Sequence, residues 1–200
     1  MKTRIISGVC LRANSFLSRF TRWTTGLLLA AATVAAQETT TATAPEKTWQ
    51  SVGVRSGFST RDFPHDPFHQ SELFSIWNLP RSWPLCADWS VKPRLELTAG
   101  CLSGKKEEGF VGTLGPELAF QYDRLPIILD GGISPTVLSQ DKFGYRDFGI
   151  LFQFTSHVGL DWEFAAHWKL GYRFQHMSNA GLGTPNPGLN LHLFGLGYRY

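Results

Sequence analysis

Several things are scarce in this sequence, and each scarcity closes off a class of protein. Cysteine occurs three times. Cys10 lies near the start, which leaves Cys86 and Cys101 as one candidate pair whose approach spacing does not determine. Long apolar runs are missing too. The run GLLLAAATVAA from Gly26 is roughly half of the about 20 residues that a spanning helix requires. Basic residues precede it, and the small residues Val34 and Ala36 suit cleavage before Gln37. Residues 1–36 therefore read as a secretory signal peptide in preference to a membrane anchor, and Cys10 is expected to leave with it. That segment carries Lys2, Arg4, Arg12, Arg19 and Arg22 and no acids, so losing it moves the formal charge from +3 to −2. A basic surface is then absent, and nucleic acid has no electrostatic support as a partner. Close ligand spacing is also absent among His65, His69, His157 and His167, so neither a metal nor another cofactor is expected.

Long amphipathic helices are missing after the polar, Thr-rich linker of residues 37–47. Strand-like segments between turn signals stand in their place. They are Thr48 to Ser59, Ser71 to Leu79, Ser90 to Cys101, Phe110 to Gln121, Ile127 to Leu138, Phe148 to Phe164, Trp168 to Ser178 and Asn190 to Tyr200. Residues 48–200 thus form one all-β domain of eight strands. Connections at Asp123 to Pro126 and Ala165 to Ala166 are short. Those at Thr60 to Gln70, Ser103 to Gly109, Ser139 to Asp147 and Asn179 to Leu189 are longer and polar, and the short side has one exception, Pro80 to Trp89.

An exported eight-stranded chain could be a soluble sandwich or a membrane barrel. Three observations favour an eight-stranded antiparallel transmembrane β-barrel of the outer-membrane type. Short and long connections alternate, as when turns face the periplasm and loops face outward. Aromatic residues make up 14% of the chain, and many sit near strand ends where interfacial girdles form. The last strand alternates Phe194, Leu196, Tyr198 and Tyr200 on one face and ends on an aromatic. Closure also removes the edges that an open sheet would expose.

One stretch looks like chemistry. In Trp168 to Ser178, period two puts Leu170, Tyr172, Phe174, His176 and Ser178 on one face. Asn190, His192, Phe194, Leu196, Tyr198 and Tyr200 share a face of the next strand, across a Gly/Pro/Asn loop. If Ser178 faces Asn190, then His176 faces His192 and Phe174 faces Phe194. Arg173, Arg199, Gly195 and Gly197 then point into a filled interior. The His/Ser pair falls outside the barrel, level with the outer leaflet, where it could reach a lipid ester. His192 reads as a supporting or interfacial residue.

The motif YRFQHMSNAGLGTPNPGLN resembles the C-terminal motif of PagL-type lipid A 3-O-deacylases, also called acyloxyacyl hydrolases. The resemblance implies an outer-membrane serine esterase that cleaves an ester-linked acyl chain from lipid A in lipopolysaccharide of the outer leaflet. It assigns Ser178 as nucleophile and His176 as general base. Asn179, Ala180 and Gly181 fall in the region that holds the oxyanion. The residue that orients the histidine falls at Asn190, where the family carries glutamate. Asn190 can accept the ring N–H but supplies no charge to an imidazolium. Asp147 is the nearest substitute acid, and Glu163 belongs near the periplasmic end. The neutral residue also suits a non-enzymatic barrel with a lipid-binding or envelope-stabilising role.

Overall fold

The computed structural model describes residues 49–59, 67–86 and 88–200. The expected signal peptide and linker, and His65, lie outside the described residues. Eight long strands follow in order: β1 Trp49–Phe58, β2 His69–Asn78, β3 Trp89–Gly104, β4 Glu107–Tyr122, β5 Ile127–Leu138, β6 Phe152–Ala165, β7 Trp168–Ser178 and β8 Leu189–Arg199. Each pairs antiparallel with its sequence neighbours. β1 pairs with β8, so the sheet closes into an eight-stranded barrel. No helix occurs among the described residues.

Alternation along the strands explains why closure is stable. Outward side chains are apolar and exposed, including Val54 at 52%, Leu73 at 64%, Ile133 at 62% and Phe194 at 56%. Such a continuous belt is costly against water and favourable against acyl chains, so the fold is that of a membrane-spanning barrel. At the end that holds the C-terminus the belt is bordered by aromatic pairs. Trp49 stacks on Tyr200, Trp89 meets Tyr122, and Trp168 meets Tyr198.

The interior is filled, in two layers. Towards the C-terminal end it holds a salt-bridged network. Glu96 takes Arg55 Nη2 at 2.6 Å and Arg173 Nη1 at 2.6 Å, Arg94 meets Glu117 at 2.7 Å, and Lys169 meets Asp161 at 2.6 Å. His157 Nε2 lies between Glu117 and Asp130, at 3.4 and 3.5 Å. Glu96, Glu117 and His157 lie close enough together to share a metal ion, but the guanidinium groups of Arg173 and Arg94 already sit against both carboxylates. Gly197 makes room for this layer, because a Cβ there would stand 2.9 Å from Lys169 Cε. Towards the loop end the filling turns apolar: Phe68, Leu102, Val111, Leu138, Phe143, Phe148, Met177, Leu189, Leu191 and Leu193. Each such buried side chain is worth about 1.5–3 kcal/mol against exposure to water.

Three expectations change. The Ser103–Gly109 loop does not exist as such. β3 and β4 continue above the belt and join at Lys105 and Lys106, whose φ values are 53° and 69°, as a two-residue hairpin turn demands. The sixth strand begins at Phe152 instead of Phe148, because Lys142–Phe143 and Arg146–Asp147 form a separate small hairpin. A four-residue strand, Trp83–Cys86, adds to the start of β3. The cysteines do not pair. Cys86 lies beside Trp89 and Cys101 beside Phe110, on the order of 40 Å apart along β3 at about 3.4 Å per residue. A disulfide spans at most about 7 Å between Cα atoms.

Candidate active site

The site is built on the β7–β8 hairpin. The structure pairs His176 with Asn190, Phe174 with His192, Tyr172 with Phe194 and Leu170 with Leu196. This corrects the expected register by two residues. An even slip leaves every side chain on its expected face, so Ser178, His176 and Asn190 all remain on the outward face. Asn179 causes the slip. Its side chain turns inward and is fully buried, and its Nδ2 donates to the carbonyls of Phe148, Gly183 and Pro185 at 2.9, 3.1 and 3.0 Å. The chain therefore leaves the ladder one residue after Ser178. It returns at Gly188, with φ +63°, in time for Leu189 to pair with Met177.

The slip puts the asparagine where the histidine can use it. His176 Nδ1 donates to Asn190 Oδ1 at 2.6 Å. Because an amide oxygen only accepts, this bond fixes the proton on Nδ1 and leaves Nε2 as the basic nitrogen. The ring is exposed and Ser178 is half-buried. The two residues share a face about 6.6–6.8 Å apart along the strand. Among the described residues Ser178 Oγ makes no hydrogen bond, so the serine and histidine are neighbours and not yet a bonded pair. Gly188 closes on the ring from the loop side, where a Cβ would lie 2.9 Å from His176 Cε1. Only glycine fits there, on both spatial and φ grounds.

The loop after Ser178 uses several of its donors internally. Asn179 N–H donates to Asn186 Oδ1 at 3.1 Å, and Gly181 N–H donates to Asn179 Oδ1 at 2.9 Å. Ala180, at φ +53°, keeps its N–H outside these bonds. Of the three residues expected around an oxyanion, Asn179 and Gly181 have their backbone N–H groups engaged within the loop, and Ala180 does not.

Asp147 is engaged away from the histidine. Its carboxylate accepts from Gly149 N–H at 2.8 Å and meets Lys142 Nζ at 3.2 Å. The Gly149 amide, then Lys142, hold its pKa below the ordinary aspartate value. Glu163 pairs with Arg199 at 2.6 Å at the opposite end of the barrel. Arg173 is buried in the interior network as expected, whereas Arg199 stops at that end's mouth. His192 shares a hydrogen bond with Tyr172 OH at 2.8 Å and packs on Phe174, one rung below His176.

Two contributors escaped the sequence. Asn186 offered a weak signal as the asparagine between two prolines in the loop. Arg146, which donates to Gly188 O at 2.9 Å, offered none, because nothing local ties residues 139–149 to the last hairpin.

Comparison with known proteins bears on this geometry. The family model described as lipid A 3-O-deacylase (PagL) matches residues 71–199. The lipid A deacylase PagL of Bordetella bronchiseptica (strain ATCC BAA-588 / NCTC 13252 / RB50) is 36% identical over 89 residues, which is 40% of this chain and 50% of that protein. The match thus spans about half the length of this curated relative. The crystal structure of the outer membrane enzyme PagL superposes with a TM-score of 0.65 at 20% identity, covering 74% of this chain and 97% of that one. At that identity the superposition speaks for the barrel alone.

Proposed function

The chain belongs to the PagL family of lipid A 3-O-deacylases, and on that premise we propose that it hydrolyses an ester-linked acyl chain of lipid A with Ser178, His176 and Asn190. It is an outer-membrane barrel. The observation that carries the catalytic reading is the 2.6 Å bond from His176 Nδ1 to Asn190 Oδ1. That bond orients the imidazole of a residue two positions from Ser178, at the edge of the apolar belt. An amphiphile such as lipid A holds its ester linkages at that boundary, with acyl chains below among Phe194 and Leu196 and sugars above.

In the proposed reaction Ser178 Oγ attacks the acyl carbonyl carbon while its proton passes to His176 Nε2. The carbonyl oxygen becomes an oxyanion, and Ala180 N–H is one donor in the adjoining loop left to meet it. Collapse breaks the bond to the sugar oxygen, which takes the proton from His176. Water, deprotonated by the same nitrogen, then attacks the acyl-serine and releases the fatty acid. Asn190 keeps the histidine in the required tautomer throughout, but as a neutral group it offers the transient imidazolium little charge stabilisation.

A second reading is favoured by a specific observation. Ser178 Oγ is not hydrogen-bonded to His176, and a neutral amide stands at position 190, as suits a barrel that binds lipid or supports the envelope without cleaving it. One comparison separates the two. Cells overproducing the wild type or Ser178→Ala are analysed for lipid A by mass spectrometry. Loss of one acyl chain in the wild type and its retention in the variant supports hydrolysis. Identical profiles reject it.

A further inference from the structure

The β5–β6 connection, residues 139–151, is fastened to both ends of the loop that carries the proposed site. At one end Asn179 Nδ2, next to Ser178, donates to Phe148 O at 2.9 Å. At the other Arg146 Nη1 donates to Gly188 O at 2.9 Å. Between them Gly149 packs so closely on the loop that a Cβ would stand 2.4 Å from Pro185 O. The fastening segment is itself anchored. Phe143 and Phe148 are buried in the apolar layer with Phe68, the Arg146 guanidinium lies 5.5 Å over the Phe68 ring, and Asp147 ties Lys142 to Gly149.

The Gly188 end matters because of what Gly188 touches. A Cβ added at Gly188 would stand 2.9 Å from His176 Cε1, so the glycine lies about a carbon's breadth from the ring and its peptide bounds the space in which that ring sits. The His176–Asn190 bond fixes ring tilt and tautomer from one side, and Gly188 limits the ring from the other. We propose that Arg146 is a positioning residue: through Gly188 it holds His176 where its Nε2 can meet the Ser178 hydroxyl. This rests on the reading of Ser178 and His176 given above. The long arm of arginine suits the task, since it spans from the 142–147 hairpin to the far end of the catalytic loop and donates with fixed geometry.

The test uses the purified full barrel in detergent with lipid A mixed micelles. Arg146→Met keeps the side chain's packing on Phe68 and removes its donors, and Arg146→Lys restores one. The Met variant is expected to lose on the order of tenfold or more in kcat, as small misplacements of a base do. Its KM should stay within about twofold, the signature of an interaction that does not bind substrate. The Lys variant should recover part of the loss. Unchanged kcat in the Met variant overturns the proposal. So does a raised KM with kcat intact, which would make Arg146 a contact for the lipid's phosphates instead. If Arg146→Met does not give the folded, heat-modifiable band, Arg146→Gln decides: it keeps a polar donor in the segment, but its shorter arm does not reach Gly188 O. Undiminished kcat there overturns the proposal as well. Ser178→Ala is run beside them. Activity in that variant rejects the catalytic reading itself, whereas an inactive Ser178→Ala beside a fully active Arg146→Met rejects only the positioning role.

Discussion

Replacing Asn190 by aspartate exchanges an amide for a carboxylate of the same length at an atom 2.6 Å from His176 Nδ1. The geometry is kept and only charge is added. A hydrogen bond between neutral groups nets about 0.5–1.5 kcal/mol, and one to a charged group about 1.5–3 kcal/mol. The excess, about 1–1.5 kcal/mol, is expressed as the imidazolium develops, and it amounts to about tenfold in rate. Asn190→Ala removes the acceptor and frees the tautomer, which should cost about tenfold by the same arithmetic. The Asn190→Asp enzyme should therefore outpace Asn190→Ala by about a hundredfold. The carboxylate must be ionised to act. Desolvation at the membrane boundary raises its pKa above the usual value of about 3.9, so the gain over wild type should grow as pH rises from about 5 to about 8. Glutamate, one methylene longer, should raise the rate or leave it unchanged. The assay is release of fatty acid from lipid A micelles by wild type and the purified variants across that pH range, with gel mobility confirming folding. Equal rates for asparagine, aspartate and alanine would refute the reasoning and show that something other than position 190 holds the histidine.

The interior, the belt and the loop each yield a separate outcome. Glu96→Gln leaves Arg55 and Arg173 facing an uncharged amide in the interior, and breaking such a buried pair costs about 3–5 kcal/mol. The folded band on unboiled gels should convert at lower temperature or urea concentration than wild type. Ile133→Arg puts a charge in the middle of the lipid-facing belt, where about 2–4 kcal/mol is lost in a bilayer; unaltered folding into vesicles would argue against membrane embedding of that face. The depressed pKa of Asp147 means that its contribution to loop order is fully present above the unfolded aspartate value, about 3.9, and is lost as pH falls through the lower folded value. Proteolysis of the 139–149 segment should thus accelerate only in acid, and Asp147→Asn should show the fast rate already at neutral pH.

The alternation of side chains settled the strand count, the all-β class and which residues face lipid, because a period of two is a local property that each strand writes for itself. Ile127–Leu138 and Trp168–Ser178 were legible to the residue. The face shared by His176, Ser178 and Asn190 was legible for the same reason. Register was not. The pairing of His176 with Asn190 instead of His192 depends on where Asn179 leaves the ladder, and Asn179 leaves because it finds carbonyls at Phe148, Gly183 and Pro185 to satisfy its buried amide. One of those lies 31 residues away. The separation of Cys86 from Cys101, the spent donors of Asn179 and Gly181, and the engagement of Asp147 with Lys142 have the same origin. Each is a choice of partner made in the folded loop or strand, which the residue types alone do not specify. Arg146 is the clearest case: its own neighbourhood reads as a solvated loop, and only tertiary packing sets its guanidinium against the glycine that bounds His176.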